Sequence, residues 1–242
     1  MKTEIRRQCE KFDITNYIIN DDGSIDVDGF VVISNTELTS LPIKFNKVSE
    51  DFFCSSNKLT TLEGCPKEVG GSFCCSDNHL TSLEHSPTSV GDDFSCADNK
   101  ITSLEYCCSE IYGSFDCSRN ELISLDYSPY VEIYYNCSFN KITSLEFCPE
   151  KVDYNFDCSY NKLTSLECCP NDVGGDFNCK GNEINTIQYL PNNVKGDFYC
   201  SNNSILLEDI VFSEYTEKFD LTKSFGFSED EIRVAKIKVI TS

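Results

Sequence analysis

Apolar positions along this chain return on a long and regular beat. From Phe52 to about Ile205 a 21-residue unit of the form F-x-C-x-x-N-x-L-x-x-L recurs eight times. One column holds Cys54, Cys75, Cys96, Cys117, Cys137, Cys158, Cys179 and Cys200. Three residues on stand Asn57, Asn78, Asn99, Asn120, Asn140, Asn161, Asn182 and Asn203, and two further come Leu59, Leu80, Ile101, Leu122, Ile142, Leu163, Ile184 and Ile205. The one irregular step, Cys117 to Cys137, is 20 residues long, one residue being lost near Tyr130. A fixed period of this length marks a solenoid, in which each unit is one coil stacked on its neighbours.

Each column has a physical reading. In F-x-C the two apolar residues are two apart, so both face the same side of a short strand, inward. Phe52, Phe73, Phe94, Phe115, Tyr135, Phe156, Phe177 and Phe198 then form an aromatic spine, with each Cys beside it acting as a small hydrophobe. The Leu of N-x-L and the Leu of T-S-L (Leu62, Leu83, Leu104, Leu125, Leu145, Leu166) fill the remaining interior. The Asn turns inward to bond the backbone of the loop leaving the strand, because a buried amide without partners costs about 1–3 kcal/mol. Pro66, Pro87, Pro129, Pro149, Pro170 and Pro191 fix φ on the far side, and Gly-rich VGG or VGD returns the chain to the next strand.

The ends read as caps, as an open solenoid requires. Residues 2–12 read as a helix, and Tyr17 to Ile33 as strand–turn–strand about Asn20-Asp21-Asp22-Gly23. Leu206–Phe212 looks helical, and Ser228-x-x-Glu231 is a capping box opening a last helix to about Lys238. The expected organisation is an N-terminal helix and β-hairpin cap over 1–30, and a solenoid over 31–205 made of one degenerate and eight 20–21-residue repeats. A helical C-terminal cap follows over 206–242. The fold class expected is short parallel β-strands stacked on the concave face, with little helix outside the caps.

The sixteen cysteines change the picture less than their number suggests. Half form the core column just described; a second column, Cys65, Cys107, Cys148 and Cys169, precedes the Pro and alternates with Ser86 and Ser128. Stacked positions about 5 Å apart with parallel side chains give poor disulfide torsions. No two cysteines are spaced CxxC and no hydrophobic segment follows the charged start MKTEIRRQCEKFD, so reduced thiols in a cytosol are expected. No apolar stretch is long enough to span a membrane.

Forty acidic against twenty basic residues give a net charge of −20. Such a field repels nucleic-acid backbones and anionic membranes and favours encounter with basic protein surfaces; it also keeps a repetitive chain in solution. Ser24-Ile-Asp26-Val-Asp28-Gly29 superficially resembles a calcium loop, but Asn35 stands at the twelfth position and the acid–apolar alternation is that of a strand. No nucleophile–base pair, phosphate loop or metal-ligand spacing is present, so no enzyme activity, metal or cofactor is expected.

The Asn-x-Leu frame with its T-S-L-E-x-C-P return resembles leucine-rich repeats of the bacterial effector subclass, with Phe and Cys where that family carries Leu. A fuller match, over residues 14 to about 205, is with small repeat proteins of tailed bacteriophages: INDDGSIDVDGFV, then C-S-x-N-x-L-T-S-L-E-G-C-P-K-E-V-G-G. The resemblance implies a leucine-rich-repeat solenoid and a viral or host-cell cytosolic setting. Effector relatives carry a ubiquitin-ligase domain after the repeats; about 37 residues follow Ile205, too few for it, so that activity is not implied.

The outward phase of the strands is the expected binding face. Its midsection groups Tyr134, Phe139 and Tyr160 with Asp116, Asp157 and Arg119, the composition of interface hot spots. A stripe of Glu63, Glu84, Glu105, Asp126, Glu146 and Glu167 runs along the edge. The expected function is a protein-binding scaffold, phage-encoded, acting on a host or viral protein with a basic surface, for example as a defence inhibitor. The other class is an acidic nucleic-acid mimic occupying a DNA-binding enzyme. Phosphates lie about 7 Å apart along a strand, which columns about 5 Å apart match poorly. No direct nucleic-acid or membrane binding is expected, and the oligomeric state is left open.

Overall fold

The structure, a computed structural model, describes residues 1–211 and 220–241, with side chains as far as residue 235. They fall into two compact units, Met1–Leu122 with Asp126–Tyr134 and Ile123–Leu125 with Tyr135–Ser242. Each is a solenoid of stacked repeats built on short parallel strands.

In the first unit the Phe strands are Val31–Val32, Phe52–Phe53, Phe73–Cys74, Phe94–Ser95 and Phe115–Asp116. They pair in parallel with each residue opposite its equivalent one repeat on, as Phe52 is to Phe73. In the second unit Tyr135–Asn136, Phe156–Asp157, Phe177–Asn178 and Phe198–Tyr199 do the same. The inward rings stack as a spine with centroids 5.1–5.9 Å apart in the first unit and 5.2–5.7 Å in the second. Phe45 closes one end of the first spine edge-on, and Phe225 meets Phe198 at one end of the second. Every spine ring from Phe52 to Phe198 is at most 3% exposed. The Cys column is buried beside them, and none of the sixteen cysteines forms a disulfide.

Each coil also carries a second strand, which the periodicity does not reveal. In the first unit Phe45–Val48, Glu68–Val69 and Ser89–Val90 pair in parallel, following an antiparallel hairpin of Tyr17–Ile19 and Ile25–Val27. Glu110–Ile111 pairs with Tyr130–Val131. In the second, Lys151–Val152, Asp172–Val173 and Asn193–Val194 form the same ladder. Val48, Val69, Val90, Ile111, Val131, Val152 and Val173 are buried, so the V of VGG and VGD is a core column as well as the start of a return.

In three coils the residue after that Val, Gly70, Gly91 or Gly174, sits against the backbone of the preceding coil with no room for a side chain, whereas Ser49, Tyr112, Glu132, Asp153 and Lys195 hold the same place elsewhere. A Cβ on Gly91 would lie 2.1 Å from the carbonyl oxygen of Gly70, and one on Gly174 would lie 2.0 Å from that of Asp153. Backbone cannot yield as a side-chain tip can. Gly91→Ala is therefore expected to lower stability by about 1–3 kcal/mol through overpacking. An unchanged urea midpoint would refute the close approach.

Helices lie at the ends of the chain. Lys2–Lys11 opens it, and Leu207–Val211, Leu221–Phe225 and Glu229–Thr241 follow the last repeat. Phe212, where the sequence reading ends its helix, lies outside the described residues. The capping box forms as expected. Ser228 N–H donates to the Glu231 carboxylate at 2.8 Å, and Glu231 N–H donates to Ser228 Oγ at 3.3 Å. Among the described residues no helix is long and apolar enough to cross a membrane.

Candidate functional site

Two inward columns hold the surface in place. Asn78 typifies the first: its Nδ2 donates to the carbonyls of Cys75 and of Cys54 one coil earlier, and its Oδ1 accepts the Leu59 N–H at 2.9 Å. Asn99 and Asn120 repeat this in the first unit, and Asn161, Asn182 and Asn203 in the second. In the second column Ser86 Oγ donates to the Tyr106 carbonyl, and the Cys148 and Cys169 thiols donate to those of Cys168 and Tyr189. This explains why Cys and Ser alternate there: both are small donors. Burial pushes the Cys169 thiol up to about 12.

Many outward acids prove to be engaged. Asp51 and Asp93 each accept the backbone N–H of the equivalent residue one coil on, at 2.8 and 2.6 Å; Asn155 and Asp176 do so in the second unit. Asp26 accepts from the Asn20 and Asn46 amides, so the stretch resembling a calcium loop is tied into the hairpin region.

Of the six candidate residues, Asp116, Arg119 and Tyr134 belong to the first unit. Asp116 is half-buried and accepts the Ser118 N–H at 2.9 Å, closing an Asx turn at the strand end. Arg119 is exposed and pairs with Asp98 at 3.8 Å. Tyr134 is half-buried, and its carbonyl accepts from Phe115 N–H. Phe139, Asp157 and Tyr160 belong to the second unit. Asp157 is engaged at both oxygens: Oδ1 accepts Ser159 N–H and Oγ–H, and Oδ2 accepts the Asn178 amide at 2.9 Å.

Phe139 and Tyr160 come together. Their rings stack at 4.4 Å and 17°, and each residue stays 40% exposed. Both have left-handed backbone, φ +55 and +54. Their whole column does: Ser56, Asp77, Asp98 and Arg119 in the first unit, Gly181 and Asn202 in the second. Gly181 leaves room for its neighbour, since a Cβ there would lie 2.7 Å from the Tyr160 ring. Left-handed backbone costs a residue with a Cβ about 1–2 kcal/mol, which Gly, Asn and Asp bear most easily.

A second left-handed column escaped the sequence reading. It follows the Glu of T-S-L-E or the residue in its place, Asp126 and Gln188 included: Gly64, His85, Tyr106 and Tyr127 in the first unit, Phe147, Cys168 and Tyr189 in the second. The turn is built locally. Glu105 N–H donates to Ser103 Oγ, and Cys107 N–H donates to the Leu104 carbonyl. The third turn residue has positive φ, where glycine fits best. Four aromatics stand there instead, 46–66% exposed. The signal was present in the x of T-S-L-E-x-C-P, but only its φ shows what is unusual.

No protein-family model matches the chain, and no curated protein sequence matches it. Among solved structures it is similar to YopM from Yersinia enterocolitica WA-314, at 15% identity and a TM-score of 0.41, over 84% of this chain. The match spans 63% of that chain, less than two thirds of its length. Solenoids of stacked repeats present extended surfaces suited to protein partners.

Proposed function

We propose that the chain is a protein-binding scaffold whose partner docks on the outer face of the Phe strands, with Phe139 and Tyr160 as anchors. The observation that carries this reading is the stacked, part-exposed ring pair at backbone positions that disfavour it. Two-fifths of each residue stays open to solvent as part of one stacked aromatic platform, a surface that a partner can cover. Resemblance to phage repeat proteins supports a viral setting, a bacterial or viral partner and an anti-defence role. The net charge of −20 supports a partner with a basic surface. The engagement of Asp51, Asp93 and Asp176 with backbone N–H groups weighs against a phosphate-mimicking row.

Capture from bacterial lysate followed by mass spectrometry tests it, run in parallel with the double variant Phe139→Asn/Tyr160→Asn. Asn suits left-handed backbone, so folding is preserved while the rings are lost. A specific partner should fall by about thirtyfold in affinity, the loss of one hot-spot aromatic of about 2 kcal/mol. Lys162→Ala should leave it unchanged. Charge is probed with Asp157→Asn, which keeps an acceptor for Ser159, whereas Asp157→Lys would also undo the turn. A partner retained by the double variant would exclude this face.

A further inference from the structure

The Phe-strand sheet of the first unit ends on Val31–Val32, which pairs with Phe52–Phe53 on one side only. The N–H groups of Val31, Ile33 and Asn35 donate across that side to the carbonyls of Asp51, Phe53 and Ser55 at 2.8, 2.9 and 3.1 Å. Alternate residues of a strand aim their backbone groups at opposite edges. The N–H and C=O of Val32 and the N–H of Ser34 therefore aim away from the sheet. Among the described residues none of the three has a hydrogen-bond partner. Where the second unit's ladder ends, by contrast, the Ser224 carbonyl of the helical cap takes up the Cys200 N–H.

The side chains at this edge match its open backbone. Outward positions of adjacent strands lie in register as Ser95, Cys74, Phe53 and Val32, so the row turns apolar toward the edge. Val32 is 48% exposed and Phe30, just before the strand, 64%. Edge strands are ordinarily blunted by lysine, proline or a bulge, because a bare edge recruits another strand. Phe30-Val31-Val32-Ile33 carries neither residue, and its strand pairs without a bulge.

We propose that this edge takes up an extended segment of a partner protein by strand addition. The segment lies beside Val31–Val32 and exchanges backbone hydrogen bonds with Val32 and Ser34. Its alternate, apolar side chains continue the row of Phe53 and Val32. The side chains between them are basic, because a net charge of −20 attracts a cationic segment and opposes a second copy of this chain. The site is separate from the Phe139–Tyr160 pair and does not rest on it.

Fluorescence anisotropy of the full chain at physiological salt tests this with a labelled peptide of alternating Lys and Val, and a Lys–Ser peptide of equal charge for comparison. The Lys–Val peptide is expected to bind, and the Lys–Ser peptide about tenfold more weakly for want of apolar contact. Val32→Pro removes the outward N–H at a position where an edge strand tolerates proline, and should weaken Lys–Val binding about tenfold. Val32→Lys keeps the N–H but breaks the apolar row, and should weaken it likewise. Ile123→Lys, an exposed site with the same charge change, should shift it less than about twofold. Hydrogen exchange gives an independent reading: the Val32 amide should exchange fast in the free chain and slowly with the Lys–Val peptide bound, while Val31 stays protected in both. Equal binding of the two peptides, or indifference to both Val32 changes, would reduce the effect to general attraction by an acidic protein and overturn the proposal. Slow exchange of Val32 in the free chain would overturn it by showing the edge already covered. A dimer of the free chain that Val32→Pro dissolves, seen by sedimentation, would give the edge to a second copy and overturn the partner reading.

Discussion

Between pH 8.5 and 10, the urea midpoint of the reduced protein is expected to fall steeply. The cause is the buried Cys column. Burial pushes the thiols of Cys75 and Cys96 in the first unit, and Cys158 and Cys179 in the second, well above their ordinary range. Neighbouring thiols and the Asp116 and Asp157 carboxylates add to this. In the unfolded chain the same thiols titrate near pH 8.5. Below that value both states hold the proton and the contribution is complete. Above it the unfolded chain releases protons that the fold retains, so stability declines until the raised folded value is reached. Each such thiol contributes about 1.4 kcal/mol per pH unit in that window. Four together outweigh the margin of an ordinary domain within about two or three units. Cys96→Ala/Cys158→Ala should flatten the slope in proportion to the thiols removed. A midpoint constant to pH 10 would mean that the column is ionised or accessible in the folded state.

Asn161→Ala is expected to cost about 2–3 kcal/mol. Asn161 is 8% exposed, and its amide makes four bonds: to the carbonyls of Cys137, Cys158 and Ser159, and from the Ile142 N–H at 3.0 Å. Removing it strands the Ile142 N–H inside the coil, where water cannot follow, and one orphaned group costs about 1–3 kcal/mol. The carbonyls lose a donor as well. Asn120→Ala in the first unit should behave alike, through Ile101 N–H, Cys96 and Cys117. Lys162→Ala, the exposed neighbour, should shift stability by less than about 0.5 kcal/mol. Asn161→Asp separates the roles: the acceptor for Ile142 survives, but a carboxylate would face three carbonyls. It should therefore be at least as damaging at pH 7 and partly recover in acid, when the protonated group can donate. Equal midpoints for the Asn161 and Lys162 variants would remove the amide from the interior.

What could be read in advance depended on whether the chemistry demands identity. Only an amide can serve a carbonyl and an N–H together in so small a space, so every coil kept its Asn and the column was legible. The Phe spine was legible because rings must meet rings. The Val strands were not, because two residues are too few to show alternation. The engagement of Asp51 and Asp93 was hidden for another reason: each partner is an N–H 21 residues away, a contact that only coil register creates. At Tyr106 and Tyr127 residue preference pointed the wrong way, since a turn that favours glycine carries rings. Asp116 and Asp157 lay between these cases. Their D-x-S spacing hinted at an Asx turn, but their charge drew attention to binding instead.

The Asn ladder also has a direction in time. Asn78 completes the coil that precedes it, holding Leu59 and Cys54. During synthesis the newest coil is thus always unfinished, and becomes sealed only when the next Asn emerges some twenty residues later. Near the end of the array no further repeat arrives, and a different device takes over: Cys200 N–H donates to the Ser224 carbonyl and Phe225 packs on Phe198. A ribosome stalled within the repeats would therefore display closed coils ending in one open one, with a single coil's backbone left bare to water.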